Sequence, residues 1–318
     1  MIKPSTFKIT ETEASQTVAA VIRKNLTSTS WKIIKKMIEA GQTKINGQLC
    51  LDPARRVKLN DEISLSSKPE NIRPDKSPLT IRHLDEHLVV VEKPAMINTV
   101  RHPLERDWTE TRKSLSPTLE DLTIKAIHDT GKPRKGSKSR LRVVQRLDKE
   151  TSGLLVFART VEAERGLGKQ FHQHSVERKY LALVPGLLMP QTIESYLVRD
   201  RGDGRRGSLE NLQQGKIAIT HVTIVERLNG FTLMGCKLET GRTHQIRIHL
   251  AEKGHPVCGD RVYRNTVDGK LLPDGSGFPR VALHAAELGF IHPITGQKMH
   301  WTMDMPEDLQ KLITRLRK

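Results

Sequence analysis

The sequence lacks the features that mark several protein classes. Its apolar stretches are strand-sized and too short to span a bilayer, and the N-terminal MIKPSTFKITETEAS has no apolar signal-peptide core. It has three cysteines, Cys50, Cys236 and Cys258, with no CxxC pair. This argues against a disulfide framework or structural zinc site and favours a reducing compartment. We therefore expect a cytoplasmic protein whose cysteines are small buried side chains.

Acidic residues are fewer than basic ones. The chain has 36 Asp and Glu against 53 Lys and Arg, a formal net charge of +17, and a pI near 9.9. Such an excess predicts a polyanionic partner. RNA, DNA and acidic membranes all fit this description, and membranes fit least because no segment is long enough to cross one.

A proline-rich segment predicts where the chain divides. SSKPENIRPDKSP, from Ser66 to Pro78, combines three prolines with polar residues and no apolar periodicity, which is typical of a linker. We therefore predict a first domain over residues 1–66, a linker over 67–78 and a second domain over 79–318.

The first domain has the pattern of a small α/β unit. Thr29 or Ser30 is placed to cap a helix whose inward stripe is Trp31, Ile34 and Ile38, with Gly41 at its end. Asn46-Gly47 then predicts a hairpin turn. Three lysines lie on the other side of the helix and suit either phosphate contacts or a solvated face: Lys32, Lys35 and Lys36.

The segment RLDKETSG, residues 146–153, is the first candidate for chemistry. It precedes the apolar run Leu154–Ala158, which predicts a buried strand fed by a turn at Thr151, Ser152 and Gly153. Asp148 would then lie in a loop at the end of a strand, where a carboxylate is well placed to meet a substrate. It could equally be an Asx-turn residue with no chemical role.

Basic residues crowd the segment just before it. GKPRKGSKSRLR has no acidic residue, and its glycines and serines favour flexibility. The segment suits a clamp on a nucleic-acid backbone or a solvated loop. Its candidate RNA contacts are Lys132, Arg134, Lys135, Lys138, Arg140 and Arg142.

Further along, Tyr180 starts a strand-like run and Arg242 lies in a Thr-Gly-Arg turn before a helix predicted from Thr243, with Ile246 and Leu250 inward. A tyrosine at a strand start is also typical of a half-buried aromatic with no further role. Three nearby histidines, His244, His249 and His255, lack the spacing of a metal site.

These segments carry two resemblances. SWKIIKKMIEAGQTKINGQ followed by VKLNDEISL resembles the small RNA-binding domain named after ribosomal protein S four. RLDKETSGLLVFART, ERKYLALVPG, LETGRTHQIRIHL and GHPVCGD resemble, in that order, the motifs of the RluA-type pseudouridine synthases, and VVVEKPAM and LHAAELGFIHPITG fit the same family.

The second resemblance implies a fold and a reaction. The fold is α+β, with a mixed, largely antiparallel central sheet and flanking helices. The reaction detaches the base of an extruded uridine, rotates it and rejoins it through carbon, without metal or cofactor. By motif, Asp148 matches the essential carboxylate, which acts as nucleophile or takes a sugar proton. Arg242 matches the arginine that pairs with it, Tyr180 the tyrosine that stacks on the base, and Arg146 the residue that fills the vacated space.

Two departures bear on substrate contacts: Gln145 stands where the family often has histidine, and PAMINTVRHP replaces the commoner Pro-Ala-Gly stretch. The expected partner is RNA, ribosomal or transfer, and the expected state is a monomer. Two rival functions stay open, a non-catalytic RNA-binding assembly factor and a glycosidase that would release free uracil.

Overall fold

The structure is a computed structural model, and it describes residues 4–68, 79–131, 140–209, 215–266 and 268–318. The chain forms two compact units. The smaller comprises Met1–Ser77 with Arg101–Pro117, and the larger comprises Pro78–Val100 with Thr118–Lys318. The segment Arg101–Pro117, which the sequence interpretation assigned to the second domain, thus groups with the first.

The small unit is a four-stranded antiparallel sheet with helices, in the strand order β1-β4-β2-β3. Its elements are β1 (Ser5–Lys8), α1 (Val18–Asn25), α2 (Trp31–Glu39), β2 (Thr43–Ile45), β3 (Gln48–Leu49), β4 (Glu62–Leu65), a 3₁₀ turn (Pro103–Glu105) and α3 (Glu110–Ser114). Buried aliphatic side chains from α1, α2 and β4 form its core.

The hairpin and the α2 cap are confirmed. Asn46 and Gly47 both have positive φ, at 51° and 74°, as a type I′ turn requires, and the Ser30 side chain accepts from the Ile33 amide at the start of α2. The inward position of Trp31 is wrong, because its side chain is 49% exposed. As the first helical residue, Trp31 projects back past the helix end rather than over the core.

The segment Arg101–Pro117 is fastened to the small unit mainly by Arg112. Its guanidinium donates to the Leu51 carbonyl, lies 3.4 Å from the Glu39 carboxylate and stacks 3.7 Å from the centre of the Trp108 ring. The chain therefore leaves the large unit, completes part of the small one and returns.

The large unit is built on one eleven-stranded sheet. Its strands are β5 (Ile81–Leu84), β6 (Leu88–Lys93), β7 (Arg142–Val143), β8 (Ser152–Ala158), β9 (Glu177–Pro185), β10 (Gln191–Val198), β11 (Gly207–Ser208), β12 (Lys216–Leu228), β13 (Phe231–Leu238), β14 (Leu283–Ile291) and β15 (Lys298–Thr302). The main order is β11-β10-β12-β13-β9-β14-β8-β6-β5, with β15 on β14 and β7 on β8. Only β8 and β14 pair in parallel in the described part of the sheet.

The described residues of this unit form four helices: α4 (Leu119–Asp129), α5 (Val161–His172), α6 (Gln245–Glu252) and α7 (Glu307–Leu316). The mixed, mostly antiparallel sheet with flanking helices confirms the predicted α+β class. Within the described ranges, no helix is both long and apolar enough to cross a membrane.

Several predicted boundaries shift. β8 begins at Ser152, so Ser152 and Gly153 are strand residues rather than turn residues, and β9 begins at Glu177, before Tyr180. α4 begins after a capping box at Thr118, and its buried positions are Leu119, Thr123 and Ile127. The three cysteines are buried and unpaired, as expected.

Candidate active site

One row of cross-strand neighbours sets the frame of the site. Lys93 on β6 faces Gly153 on β8, Gly153 faces Ala285 on β14, and Ala285 faces Tyr180 on β9. Adjacent strands lie about 4.8 Å apart, so three strand spacings separate Lys93 from Tyr180. Asp148 belongs to the loop that leads into β8. Because Gly153 of β8 lies in this row between Lys93 of β6 and Tyr180 of β9, the row fixes where that loop joins the sheet.

Gly153 is required for this row. A Cβ at this position would lie 2.3 Å from the Ala285 carbonyl oxygen and 2.5 Å from its amide nitrogen, and the backbone φ is 129°. No side chain fits that space, and only glycine adopts that φ at low cost. Glycine therefore lets β8 enter the sheet beside β14 directly after the Asp148 loop.

Main-chain contacts fix the Asp148 loop. The amide of Thr151 donates to the Asp148 carbonyl oxygen at 3.1 Å, which closes the turn. The buried hydroxyl of Thr99 donates to the Leu147 carbonyl at 2.7 Å and accepts from the Leu147 amide at 3.1 Å. Because the turn closes through the main chain, the Asp148 carboxylate is left for other contacts, and the side chain remains 27% exposed.

The side chain of Lys93 also holds the Asp148 loop in position. Its fully buried Nζ donates to the carbonyl oxygens of Pro94, Lys149 and Thr151 at 3.0, 3.1 and 2.6 Å. Burial lowers the pKa of Lys93 to about 7, although the Asp148 charge opposes this shift. Two of the three acceptors, Lys149 and Thr151, follow Asp148 in the chain, so Lys93 ties the end of β6 to the turn that presents the carboxylate.

Arg247 on α6 is the cation at Asp148. Its Nη1 lies 3.3 Å from Asp148 Oδ2, while Nε and Nη2 make a two-pronged contact with fully buried Asp260 at 2.6 and 3.0 Å. Burial alone would lower the pKa of Arg247, but the hydrogen bonds and charge of Asp260, with Asp148, raise it above its ordinary value. Arg247 therefore places a permanently charged guanidinium beside the Asp148 carboxylate.

His244 and Tyr263 complete the cluster. His244 has left-handed φ of 60°, which turns the chain into α6, and its Nε2 lies 3.8 Å from Asp148 Oδ1. Its Nδ1 shares a 2.7 Å hydrogen bond with the Tyr263 hydroxyl. Burial lowers the pKa of His244 despite the Asp148 charge, and burial raises the pKa of Tyr263 to about 12. Both groups thus favour their neutral forms near neutral pH.

Tyr180 lies 8% exposed in the main core beside this cluster. Burial raises the pKa of its phenol, Arg178 opposes this effect, and the Asp148 charge adds to it. The site therefore combines a partly exposed carboxylate, a buried cation and a neutral phenol. That set can act on a sugar carbon or a sugar proton, with the phenol beside the reacting group.

The pairing predicted for Arg242 is wrong. Its Nε donates to the Ile217 carbonyl at 2.9 Å, and its amide donates to the Gln245 side chain, whereas the ion pair with Asp148 belongs to Arg247. α6 begins at Gln245 rather than Thr243, so Arg242 stays in the preceding turn and Arg247 occupies the helix. Both arginines lie in the motif LETGRTHQIRIHL, and the pattern alone does not choose between them.

The candidate RNA contacts fall into three groups. Arg146, Arg140 and the three α2 lysines, Lys32, Lys35 and Lys36, are exposed. Arg142 instead lies in β7 and pairs with Glu164 of α5 at 2.7 Å, so its positive charge is already paired with a carboxylate of the protein. Four candidates, Lys132, Arg134, Lys135 and Lys138, lie outside the described residues.

Each of the three histidines considered as metal ligands has its own partners. His244 bonds Tyr263, His249 lies between Thr220 and Ser195, and His255 donates to the Pro185 carbonyl. In the part of the chain that is described, no group of His, Cys, Asp or Glu is arranged to hold a metal ion.

Sequence reasoning missed the supporting residues of the site. Lys93 lies in the motif VVVEKPAM, to which no site residue was assigned, and Thr99 lies in the stretch PAMINTVRHP noted only as a departure. Asp260 is the last residue of the motif GHPVCGD, and its place in a family motif was the sequence signal that could have indicated a role in the site. Gln145, the other departure, has a buried Nε2 with no hydrogen-bond partner in the described chain.

Comparison with known proteins agrees with this geometry. A model of the family described as RNA pseudouridylate synthase matches residues 87–252. The ribosomal large subunit pseudouridine synthase D of Zymomonas mobilis is 37% identical over 298 residues, covering 92% of this chain and 90% of that one. The uncharacterized RNA pseudouridine synthase YlyB of Bacillus subtilis is 35% identical over 293 residues, covering 90% and 89%.

A solved structure, human RNA pseudouridylate synthase domain containing 4, has the same fold. Its TM-score is 0.58 at 21% identity, covering 74% of this chain and 92% of that chain. The family match includes the Asp148 loop, Tyr180 and Arg247, and the full-length relatives extend over both units. The chain belongs to the RNA pseudouridylate synthase family, and it is an enzyme that isomerises uridine in RNA to pseudouridine.

Proposed function

We propose that this enzyme acts on uridines of large-subunit ribosomal RNA and that Asp148 is its essential carboxylate. The observation that carries the chemical part is the contact of Asp148 with Arg247 beside the buried Tyr180. The choice of RNA is supported by the ribosomal large subunit synthase of Zymomonas mobilis, which is 37% identical over most of both chains.

The reaction breaks the bond between N1 of the base and C1′ of the ribose, rotates the base, forms a bond from C5 to C1′ and releases the C5 proton. Asp148 acts as a carboxylate, either by attacking the sugar or by taking a proton from it. Arg247 faces that carboxylate, since its guanidinium lies 3.3 Å away. In this proposal Tyr180 stacks on the base and serves as acid or base.

The small unit serves in this proposal as an RNA anchor. Helix α2 carries the exposed Lys32, Lys35 and Lys36 on the side away from its buried Ile34 and Ile38. Exposed ammonium groups suit sequence-independent phosphate contacts, which position an RNA without reading its bases. The base to be modified would then be selected at the large unit.

Tritium release tests the proposal. An unmodified large-subunit ribosomal transcript labelled with 5-tritiated uridine should lose tritium to wild type without added cofactor, and a transfer-RNA pool should not. Asp148→Asn keeps the size of the side chain and leaves Arg247 paired with Asp260, so folding should persist while release falls on the order of a thousandfold or more. Asp268→Asn, at a fully exposed carboxylate, is the matched control and should remain active.

The products separate this function from its rivals. Pseudouridine in the digested RNA, with no free uracil, is the expected result. Free uracil would identify a glycosidase, and equal release by wild type and Asp148→Asn would remove Asp148 from the chemistry. Release from transfer RNA alone would overturn the choice of substrate and leave the family reaction intact.

A further inference from the structure

An arginine in the loop between β10 and β11 carries a half-buried charge. This residue, Arg206, makes no hydrogen bond and no ion pair in the described part of the chain. Its neighbour Arg205 differs, because it lies 3.9 Å from the Asp203 carboxylate. A half-buried cation without a counter-charge carries a desolvation cost that an anionic ligand would offset.

The loop that carries Arg206 is held by its own side chains. One oxygen of Asp200 accepts the amides of Gly202 and Gly204 at 2.8 and 2.9 Å, and both glycines have positive φ. Asp203 accepts the Arg205 amide at 3.0 Å. These local bonds give the exposed loop a defined shape before any ligand arrives.

Arg201 anchors the loop from inside. Its buried guanidinium pairs with Asp203 at 2.9 Å and donates to the Asn265 carbonyl at 2.9 Å. A side chain at Gly207 would displace Arg201, because a Cβ there would lie 2.3 Å from Arg201 Cδ. Asn265 follows Tyr263 closely in sequence, so the loop is fastened to the segment that supplies one side of the catalytic cluster.

A second attachment fixes the far end of the loop. Ser208, next to Gly207 in β11, bonds both oxygens of Glu252 on α6 through its amide and hydroxyl, at 2.8 and 2.6 Å. α6 also carries Arg247. The loop is therefore tied to both elements that frame Asp148, and the charge of Arg206 acts on His244 and Tyr263, the two side chains of that cluster.

We infer that the loop of residues 200–207 is built to present Arg206 to a backbone phosphate of the RNA strand next to the extruded uridine. The inference rests on the proposed function in placing that uridine at Asp148. Phosphate is the anion that every RNA substrate brings, and a guanidinium matches two of its oxygens at once. Arg206 thus supplies binding and orientation, while Asp148 and Tyr180 supply the chemistry.

Paired variants in the full-length enzyme test this assignment. Arg206→Gln and Arg205→Gln each remove one positive charge from the same loop. They differ because the guanidinium of Arg205 already faces the Asp203 carboxylate, whereas that of Arg206 faces no carboxylate in the described part of the chain. The probe is 5-tritiated total RNA from cells lacking the gene, measured for filter-binding affinity across a salt series and for tritium release. Arg206→Gln should weaken affinity and raise KM about tenfold, and should lower the log-log salt slope by about 0.7, with kcat nearly unchanged.

Further variants test whether a loss of RNA affinity in Arg206→Gln has a cause other than a lost phosphate contact. Arg205→Gln should change affinity less than about twofold, since Asp203 already balances part of that charge, and Arg206→Lys should recover part of the loss. Gly207→Ala keeps the charge but displaces Arg201 and the loop, so it should reproduce the loss of affinity. Arg206→Gln should melt at the wild-type temperature, because the change breaks no hydrogen bond or ion pair of the described chain.

Three results would overturn the assignment. Equal losses for Arg205→Gln and Arg206→Gln would indicate a diffuse field rather than one phosphate contact. A lower kcat with unchanged KM and salt slope would place Arg206 in the electrostatics of Asp148 instead. Full affinity in Gly207→Ala would show that the loop shape is not needed. If wild type binds this RNA but releases no tritium, the proposed function fails, and the affinity ratio of the two glutamine variants still decides the phosphate contact.

Discussion

Replacing Arg247 by methionine should destabilise the large unit because it removes the cation that pairs with the buried Asp260 carboxylate. Asp260 is fully buried, and Arg247 supplies both of its charge-paired contacts. Breaking a buried pair costs about 3–5 kcal/mol. Asp260 keeps the amides of Val262 and Tyr263 at 2.8 and 3.1 Å, so we expect about 3 kcal/mol, at the lower end of that range.

Thermal and denaturant unfolding would measure this cost. For a domain of this size, about 3 kcal/mol corresponds to a fall in Tm of about 6–12 °C. Arg247→Met combined with Asp260→Asn removes both charges, and the carboxamide oxygen introduced by the second change can still accept the two amides. The double variant should therefore be more stable than the sum of the single variants predicts, by about 2 kcal/mol.

The control is Arg317→Met, which breaks an exposed pair with Glu226 and should cost less than about 1 kcal/mol. The reasoning would be refuted if Arg247→Met cost as little as this control. It would also be refuted if the two single costs simply added in the double variant, since Asp260 would then not depend on Arg247.

Two further predictions concern Lys93 and helix α2. The folded pKa of Lys93, about 7, lies below its ordinary 10.5, so the unfolded chain binds more protons between these values and stability should rise with pH across that window. Between about pH 7 and about pH 9, wild type should gain at least about 1 kcal/mol more than Lys93→Met; parallel pH curves for the two would contradict this. Replacing Lys32, Lys35 and Lys36 together by glutamine should weaken RNA binding and reduce the salt slope by about 2, and an unchanged slope would show that α2 faces solvent rather than RNA.

Local patterns were enough to place the carboxylate and the tyrosine. RLDKETSG predicted a loop before a buried strand, and ERKYLALVPG predicted the strand of Tyr180, because strand periodicity and turn chemistry depend on neighbouring residues. In the described sheet β14 (Leu283–Ile291) lies between β8, which follows the Asp148 loop, and β9, which carries Tyr180. The family resemblance assigned both residues to one reaction, whereas the local patterns could not predict that a strand from so far along the chain would lie between them.

The choice between Arg242 and Arg247 depended on a detail that the pattern does not encode. His244 adopts a left-handed φ, and this delays the start of α6 until Gln245 and directs Arg247 toward Asp148. Lys93 was missed for a related reason. Its role comes from three main-chain carbonyls, two of them more than fifty residues away, and carbonyl acceptors leave no mark on a sequence.

The excursion of Arg101–Pro117 into the small unit constrains how this architecture can be cut or inherited. Three peptide junctions join the two units, at residues 77/78, 100/101 and 117/118. A single protease cut in the first connection would therefore leave Arg101–Pro117 in the same fragment as the large unit, and the rest of the small unit would keep this segment only through non-covalent contacts. A deletion ending near residue 66 would also remove the Leu51 carbonyl and the Glu39 carboxylate, which Arg112 contacts. A lineage that loses the small unit must lose or redesign an internal segment as well, so this unit is not a detachable N-terminal module.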